Sequence, residues 1–446
     1  MPSSHLFPVL PVEPNQFVAV LRRVAPYVHA YYEKTFVIGF CGEAVQAGKL
    51  NALVQDVALL HAMGVRVVVV HGSRPQVEEQ IQLRKSASRF HNGIRITDTV
   101  ALECVKEAAG EVRLDIEAAF SQGLPNTPMA HAEIRVLSGN FITARPVGIV
   151  DGVDYQHTGI VRKIAANSIT HALDTNAIVL LSPLGFSPTG EAFNLSMEDV
   201  ATAVASALKA DKLLFVTDAD GVRDAQGKLH LELSLEQAQA ALRQGTLAAD
   251  TAYTLQHAIE ACKAGVNRSH ILPYTLDGSI LLETFTHDGV GTMVTHTLLE
   301  SLREATADDV GGIVSLIEPL EADGTLVPRG RSAIERDIEH FSVIEHDGVL
   351  FGCAALYPYP QQKIGEMACL TVHGSSQGMG DGERLLKRIE QRARAQGLEK
   401  IFVLTTRTMH WFLKRGFVQA DVSALPAERQ RTYNPQRKSL VLVKTL

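Results

Sequence analysis

The sequence predicts an α/β chain in two differently built parts: a largely parallel sheet covered by helices, then an α+β domain on an antiparallel core. Three observations carry this. From residue 16 to 293, apolar runs of four to six residues alternate with helical stretches. That is the grammar of a parallel sheet buried on both faces. Around 287–301 the alternation stops. Beyond it lie β-prone runs joined by turn signals such as Asp347-Gly348, a hairpin dipeptide.

Taken in order, residues 1–14 are proline-rich and read as a loose tail, followed by a helix over 16–32. Strands are expected at 36–40, 66–71, 177–182, 213–217 and 269–272, and helices at 49–63, 197–209 and 249–264. This gives a first domain over 15–293, a linker over 294–300 and a second domain over 301–446. The second domain opens with a short strand and a helix in LREATADDVGGIVSLIEPL, then a helix and a hairpin in ERDIEHFSVIEHDGVLFGCAALYPY. A strand and a glycine turn lead into a helix marked by Leu385, Leu386, Ile389 and Ala393 on one face. KIFVLTT and SLVLVKTL supply the last strands.

Hydrophobic residues make up 46% of the chain and charged residues 20%, so a packed globular core is affordable. A net charge of −7 argues against a nucleic-acid partner, which calls for a basic face. No apolar run approaches the length of a membrane helix, and the first residues lack the pattern of a secretory signal. The five cysteines are odd in number, scattered and without a CxxC pair, which reads as reduced thiols in a cytoplasmic protein, with no metal site.

The densest chemistry lies in 365–384, GEMACLTVHGSSQGMGDGER. Glycines there open a helix, and a helix start with small residues lets backbone N–H groups approach a bulky anion. The spacing Gln377-x-x-Gly380-x-Gly382, the REAT opening, the hairpin and the close at 411–417 together resemble the GNAT acyltransferase family. The resemblance implies acetyl-CoA as cosubstrate, its pantetheine arm beside the backbone of Leu370, Thr371 and Val372. Its phosphates would lie on Gln377, Gly378, Met379, Gly380, Asp381, Gly382, Glu383 and Arg384.

Acetyl transfer to an amine needs a base, a donor to the oxyanion and a proton for the thiolate. Glu366 is the only carboxylate in the strand before the glycine loop. On a regular strand it shares a face with Ala368, Leu370 and Val372. Many members of the family place a tyrosine as proton donor where this chain has Phe412. Thr405, at the end of IFVLTT, is the substitute candidate, with Tyr433 second. Cys369 is the one covalent alternative. Arg329 and Arg331 lie in one loop, and Arg437, Lys438 and Ser439 in another. Two such loops suit a dicarboxylic amino acid, because arginine forks grip carboxylates bidentately.

The first domain, with FVIGFCGEAV, GVRVVVVHGSRPQVEEQI, HNGIRIT, FNLSMEDVA and LFVTDADGV, resembles the amino acid kinase family over 26–293, nearest its acetylglutamate kinase branch. It departs from the kinases at three places. Gly39 replaces a phosphoryl-binding lysine, Ser73-Arg74 replaces a glycine pair, and LAADTAYTLQHA lacks the second lysine. Phosphoryl transfer depends on positioned positive charge, so a regulatory, kinase-inactive domain is expected.

The fusion of the two resembles the bacterial N-acetylglutamate synthase family. That resemblance implies transfer of acetyl from acetyl-CoA to L-glutamate, the first step of arginine biosynthesis, with feedback inhibition by L-arginine. Glu366 and Thr405 would be catalytic, and Arg329, Arg437, Ser439 and Cys369 would meet the substrate. His270, Glu283, Gly289, Gly291, Thr292 and Met293 would form the arginine site. The N-terminal helix would interlock subunits of a homo-oligomer, a hexamer by resemblance. The alternatives are an acetylglutamate kinase with a GNAT sensor, an acetyltransferase of another amine, or an arginine-sensing scaffold.

Overall fold

The structure is a computed structural model. It describes residues 13–446 except 124–126, 128, 287–288, 297–299, 347, 375–376 and 378–379. The chain divides into two compact units at 298/299.

The first unit is built on eight strands: Thr35–Phe40 (β1), Arg66–His71 (β2), Arg135–Leu137 (β3), Ala177–Leu181 (β4), Lys212–Thr217 (β5), Glu232–Ser234 (β6), Arg268–Pro273 (β7) and Thr292–Thr295 (β8). Their order is β6-β8-β7-β5-β1-β2-β4-β3. Only β7 and β8 are antiparallel neighbours. Parallel neighbours need long crossovers, here supplied by helices. They include Pro14–Tyr31 (α1), Leu50–Ala62 (α2), Thr99–Phe120 (α3), Met197–Leu208 (α4), Ala249–Lys263 (α5) and Ser279–Phe285 (α6). Alternation along the strands splits the core in two. Val37, Val68, Val70, Leu213 and Phe215 pack on the side of α4 and α5. Phe36, Ile38, Val67, Val69 and Leu214 pack on the side of α2 and α3. The five strands and three helices expected between 36 and 272 are all present, each end within one residue of its expected place. The sequence reading did not resolve a side sheet of Ile142–Pro146, Gly159–Ile164, Leu184–Phe186 and Ala192–Asn194. Strands of three to six residues show too few alternations to be told from loop.

The second unit has seven strands: Glu300–Glu304 (β9), Phe341–His346 (β10), Val349–Tyr359 (β11), Ile364–Val372 (β12), Lys400–Thr405 (β13), Val418–Ala420 (β14) and Leu440–Thr445 (β15). They run in the order β9-β10-β11-β12-β13-β15-β14. Every pair is antiparallel except β12 with β13. The helices used below are Val310–Ala322 (α7), Asp381–Ala395 (α8), Met409–Leu413 (α9) and Ala427–Arg431 (α10). Leu385, Leu386, Ile389 and Ala393 of α8 pack on one face with Met367, Ile401 and Val403. Ile313, Leu316 and Ile317 of α7 pack on the other with Val343, Cys353 and Ala355. Of the hairpin dipeptide, Asp347 lies outside the described residues, and Gly348 takes φ +78° between β10 and β11. The stretch expected as a linker, 294–300, includes the end of β8 and the first residue of β9.

Two irregularities of β12 shape the site. Ala355 pairs with Ala368 and Cys353 with Thr371, so Cys369 and Leu370 together face one residue of β11. This is a β-bulge, and Cys369 takes φ +53°, rare for a residue with a side chain. The extra residue reverses the alternation. Met367, Leu370 and Val372 therefore belong to the α8 face, while Ala368 and Cys369 belong to the α7 face. The expected shared face of Glu366, Ala368, Leu370 and Val372 is thus corrected: Glu366 keeps company with Ala368, not with Leu370 or Val372. The second irregularity is a splay. β12 pairs with β13 only from Ile364 to Glu366, against Lys400 to Phe402. Past Glu366, β12 follows β11 and β13 follows β15, so the sheet opens at Glu366.

Candidate active site

The opening has the groups that an extended thioester chain and a polyphosphate need. Beyond Glu366, the edge of β12 that turned toward β13 has no strand partner among the described residues, which leaves backbone at Leu370, Thr371 and Val372 to pair with something else. The glycine turn starts α8, as the sequence predicts: Gly380 caps it at φ +102° and Asp381 is its first residue. A Cβ at Gly380 would meet nothing within 4 Å, so glycine is required there by conformation, not by crowding. Gly382 is small for a different reason than the phosphate approach expected of it. A Cβ there would lie 3.2 Å from the Trp411 ring. Gln377 donates to the Val372 carbonyl at 3.5 Å. Asp381 accepts from Arg384 at 3.3 Å, and Glu383 pairs with Lys387 at 3.1 Å. The Arg415 guanidinium lies 3.9 Å over the Trp411 ring and 3.5 Å from Glu383. Gly378 and Met379 lie outside the described residues. The splay, the bulge and the positive-φ helix start fit a coenzyme A-type ligand.

Where the sheet opens lies Glu366, whose side chain is 8% exposed. It is held in a bidentate ion pair: Arg429 of α10 donates Nε–H to Oε2 at 2.7 Å and Nη2–H to Oε1 at 3.1 Å. The neighbouring residue of β11, Tyr357, pairs in register with Glu366 and accepts from Arg329 Nη1 at 2.7 Å. The Arg329 guanidinium also stacks 4.9 Å from the Tyr357 ring centre, and its backbone N–H is fixed by Glu321 at 2.7 Å. Arg437 donates to the carbonyls of Gly324 and Thr325 at 2.9 and 3.2 Å. The Ser439 carbonyl accepts from the Tyr433 hydroxyl at 2.8 Å. The structure therefore brings Glu366, Arg329 and Cys369 together, and ties the Arg437 loop to the loop that leads to Arg329. Burial pushes the Cys369 thiol up to about 11, against the pull of Arg329.

Thr405 ends β13 on the opposite face. Ile401 and Val403 face α8, and alternation carries Thr405 to that side. Its hydroxyl accepts from the Thr408 N–H at 3.1 Å and lies 2.9 Å from the Thr408 hydroxyl. Tyr433 is occupied with Ser439, as above. Sequence reasoning missed Arg429 and Tyr357. Tyr357 was reachable, since the hairpin register places it beside Glu366. Arg429 sits in PAERQRT, 63 residues from its partner, with no local pattern to mark it.

In the first unit, His270 of β7, Glu283 of α6 and the 289–291 loop do come together. His270 Nδ1 lies 2.7 Å from Glu283 Oε1. Glu283 Oε2 accepts from the N–H groups of Val290 and Gly291 at 2.7 and 3.1 Å. Lys212 Nζ lies 3.4 Å from His270 Nε2 and 4.9 Å over the Tyr31 ring of α1. Burial, and then Lys212, press His270 down to about 4, so it is a neutral donor to Glu283. Gly289, at φ +62°, leaves room for Glu283 Oε2. Thr292 is engaged elsewhere: it donates to the His230 carbonyl at 2.6 Å and accepts from Val222 at 2.7 Å. Met293 pairs in register with His270 and is buried.

The space beside Gly39, where the sequence lacks the kinases' lysine, is occupied. A Cβ on Gly39 would lie 2.5 Å from Met197 Sδ. A cavity of about 510 Å³ persists at the carboxyl ends of β1, β2, β4 and β5. Its wall holds Glu43, Glu198, Asp199, Asp218 and Asp250 with Arg74 and Arg95; Arg74 pairs with Asp250 at 3.4 Å and Arg95 with Glu78 at 2.9 Å. Burial pushes the Glu198 carboxyl up to about 7, and Glu43 and Asp250 add to the effect. A triphosphate would face carboxylates there, so the kinase alternative is not favoured. Among the described residues no three His, Cys, Asp or Glu side chains are grouped as a metal ion requires, and no helix is long and apolar enough to cross a membrane.

A sheet that parts at a buried carboxylate, beside a helix begun on a positive-φ glycine, makes the second unit an acetyltransferase of the GNAT fold; the first has the amino acid kinase fold, with Gly39 of β1 backed by Met197. Residues 34–273 match the amino acid kinase family and residues 315–417 the acetyltransferase (GNAT) family. The chain belongs to the amino-acid acetyltransferase family. It is 68% identical over 445 residues to the amino-acid acetyltransferase of Ralstonia nicotianae, covering 100% of this chain and 99% of that one. It is 51% identical to the amino-acid acetyltransferase of Azotobacter vinelandii, over 97% of this chain and 100% of that one. The crystal structure of N-acetylglutamate synthase from Neisseria gonorrhoeae complexed with coenzyme A and L-arginine aligns with a TM-score of 0.85 at 38% identity, over 96% of this chain and 99% of that one. The same enzyme complexed with coenzyme A and N-acetyl-glutamate aligns with a TM-score of 0.62 over the same shares.

Proposed function

We propose that the chain transfers the acetyl group of acetyl-CoA to the α-amine of L-glutamate, giving N-acetyl-L-glutamate and coenzyme A. The observation that carries this is Glu366 at the mouth of the opening, with Arg329 and Arg429 around it. In this reading a Glu366 oxygen takes a proton from the substrate ammonium: an N–H bond breaks and an O–H bond forms. The freed nitrogen attacks the thioester carbonyl, a C–N bond forms, and the C–S bond breaks with its electron pair on sulfur. The hydroxyl of Thr405, which lies 2.9 Å from the Thr408 hydroxyl on the far face, passes its proton to the thiolate and takes back the second proton that nitrogen sheds as the amide forms, while the proton on Glu366 is returned to solvent. Base and acid on opposite faces suit direct transfer in a ternary complex. The raised Cys369 thiol yields little thiolate at neutral pH, which weighs against an acetyl-cysteine intermediate.

Arg329, Arg437 and Ser439 would take the glutamate carboxylates. The structure of the Neisseria gonorrhoeae relative with L-arginine supports an arginine site in this chain, and the His270–Glu283–291 cluster is our candidate for it. Exposed Phe17, Val18, Val20 and Leu21 on α1 support burial of that helix in a homo-oligomer, and we place the enzyme in the cytoplasm. The test is coenzyme A release from acetyl-CoA against a panel of the twenty amino acids, with and without arginine. Glutamate alone should support rapid turnover; equal turnover with several amino acids would defeat the substrate assignment. Glu366→Gln should lower kcat by roughly 10²–10⁴-fold while acetyl-CoA still binds, and near-normal kcat would remove Glu366 as the base.

A further inference from the structure

Glu366 meets the opening with both oxygens already taken. The Arg429 fork covers Oε2 and Oε1, and the two side chains are 18% and 8% exposed. Arg429 has a second tether besides Glu366. Its Nη1 is tied to the Thr432 hydroxyl and carbonyl at 3.1 and 3.4 Å, within its own helix turn. The same connection between β14 and β15 carries Arg437 and Ser439. Glu366, Arg429 and Arg329 all bear on the Tyr359 phenol, which burial raises first. Glu366 thus stands beside two guanidiniums, with Glu428 also bearing on Tyr359.

A carboxylate in a bidentate fork makes two charge-assisted bonds, and taking up a proton forfeits at least one of them. A base held this way must be let go before it can act. An arginine fork grips any carboxylate of the same geometry, so it can exchange one for another at little cost. The α-carboxylate of an amino acid stands two bonds from its amine nitrogen. An amine beside Glu366 therefore places that carboxylate beside Arg429, and leaves a distal carboxylate for Arg329 and Arg437.

We propose that Arg429 is a carboxylate-exchange latch: the α-carboxylate of the substrate takes over its fork and releases Glu366 to accept the ammonium proton. The latch rests on Glu366 being the base. It makes recognition of an α-amino acid and activation of the base a single event, and an amine without that carboxylate leaves the base held.

The test compares L-glutamate with 4-aminobutyrate, which keeps the amine and the distal carboxylate but lacks the α-carboxylate. Wild-type enzyme should turn over 4-aminobutyrate slowly even at saturation. Arg429→Gln should raise kcat for 4-aminobutyrate about tenfold or more and raise the KM for glutamate. An equal fall of kcat for both acceptors would make Arg429 a mere support for Glu366 and overturn the latch. A rise in glutamate KM with 4-aminobutyrate unchanged would make it a plain substrate ligand, and overturn it as well. A second measurement needs no variant: formate, a free carboxylate, should speed acetylation of 4-aminobutyrate by the wild-type enzyme, and no stimulation at any concentration counts against exchange. Glu366→Gln keeps the two readings apart. If it leaves kcat intact, the base assignment fails; if it abolishes turnover while Arg429→Gln leaves 4-aminobutyrate slow, only the latch fails.

Discussion

Glu283→Gln probes the buried chain that runs from Lys212 through His270 to the 289–291 loop. The substitution keeps the shape and removes one charge, so no cavity confuses the result. In the native chain the direction of every hydrogen bond is set. Lys212 donates to His270 Nε2, His270 Nδ1–H donates to Glu283, and Glu283 accepts from Val290 and Gly291. An amide cannot satisfy this. With its oxygen toward Val290 and Gly291, its NH₂ faces Nδ1, the imidazole proton must move to Nε2, and that N–H then points at the Lys212 ammonium. With the amide turned over, its NH₂ faces two backbone N–H groups. Either way a buried donor meets a donor, which costs about 1–3 kcal/mol. For a unit of this size that is roughly 2–4 °C in Tm per kcal/mol. Calorimetry of the full chain should show the first unit melting several degrees early. Arginine titrations of acetyltransferase activity should lose their response, because either the hold on the 289–291 loop or the Lys212–His270 contact is lost. An unfolding temperature within a degree of wild type would refute the network as drawn. If arginine response is lost at unchanged Tm, Glu283 touches the effector directly and its structural role is minor.

Three further outcomes are expected. Gly380→Val forces a β-branched residue to φ +102°, a strain of about 1–3 kcal/mol, and should weaken acetyl-CoA binding by calorimetry roughly tenfold or more; unchanged affinity would make the loop only a turn. Gly39→Lys should not restore ATP-dependent phosphorylation of acetylglutamate, trapped as the hydroxamate, and should destabilise the first unit by about 1–3 kcal/mol through overpacking on Met197, a cost that Met197→Ala relieves; measurable kinase activity would overturn the kinase-inactive reading. Asp56 on α2 is pushed up to about 7 by burial and then by Asp277, so its folded form holds a proton that the unfolded chain has lost above about pH 4. Stability from this group therefore falls as pH rises from about 4 to 7. Asp56→Asn should raise Tm at pH 8 and do little at pH 4, and an equal gain at both would sever the effect from ionisation.

Much of this molecule was legible along the chain, because an element's own residues record which of its sides is wet. The run RVVVVH could only be a strand buried on both faces, and β2 spans those residues. The stripe of Leu385, Leu386, Ile389 and Ala393 predicted α8 and its buried side, and the glycines before it predicted where the helix begins. The absence of both kinase lysines was also readable, since a missing lysine needs no structure to be missed. Tertiary structure alone decided the rest. Cys369 is an ordinary strand residue to any periodicity argument, yet its bulge turns Leu370 and Val372 away from Glu366, because register against β11 and not local preference sets where a strand slips. That Met197 occupies the space beside Gly39 depends on how α4 lies on β1. The resemblance groups Glu283 with His270, Gly289 and Gly291, but the buried hydrogen bonds that tie it to His270 and the 289–291 loop form only when β7 and that loop close around it. Glu366 reads as a base waiting in an apolar strand until the chain returns, 63 residues later, with Arg429. A charge shows its type in the sequence; its partner is fixed only when packing brings two distant segments within hydrogen-bond reach.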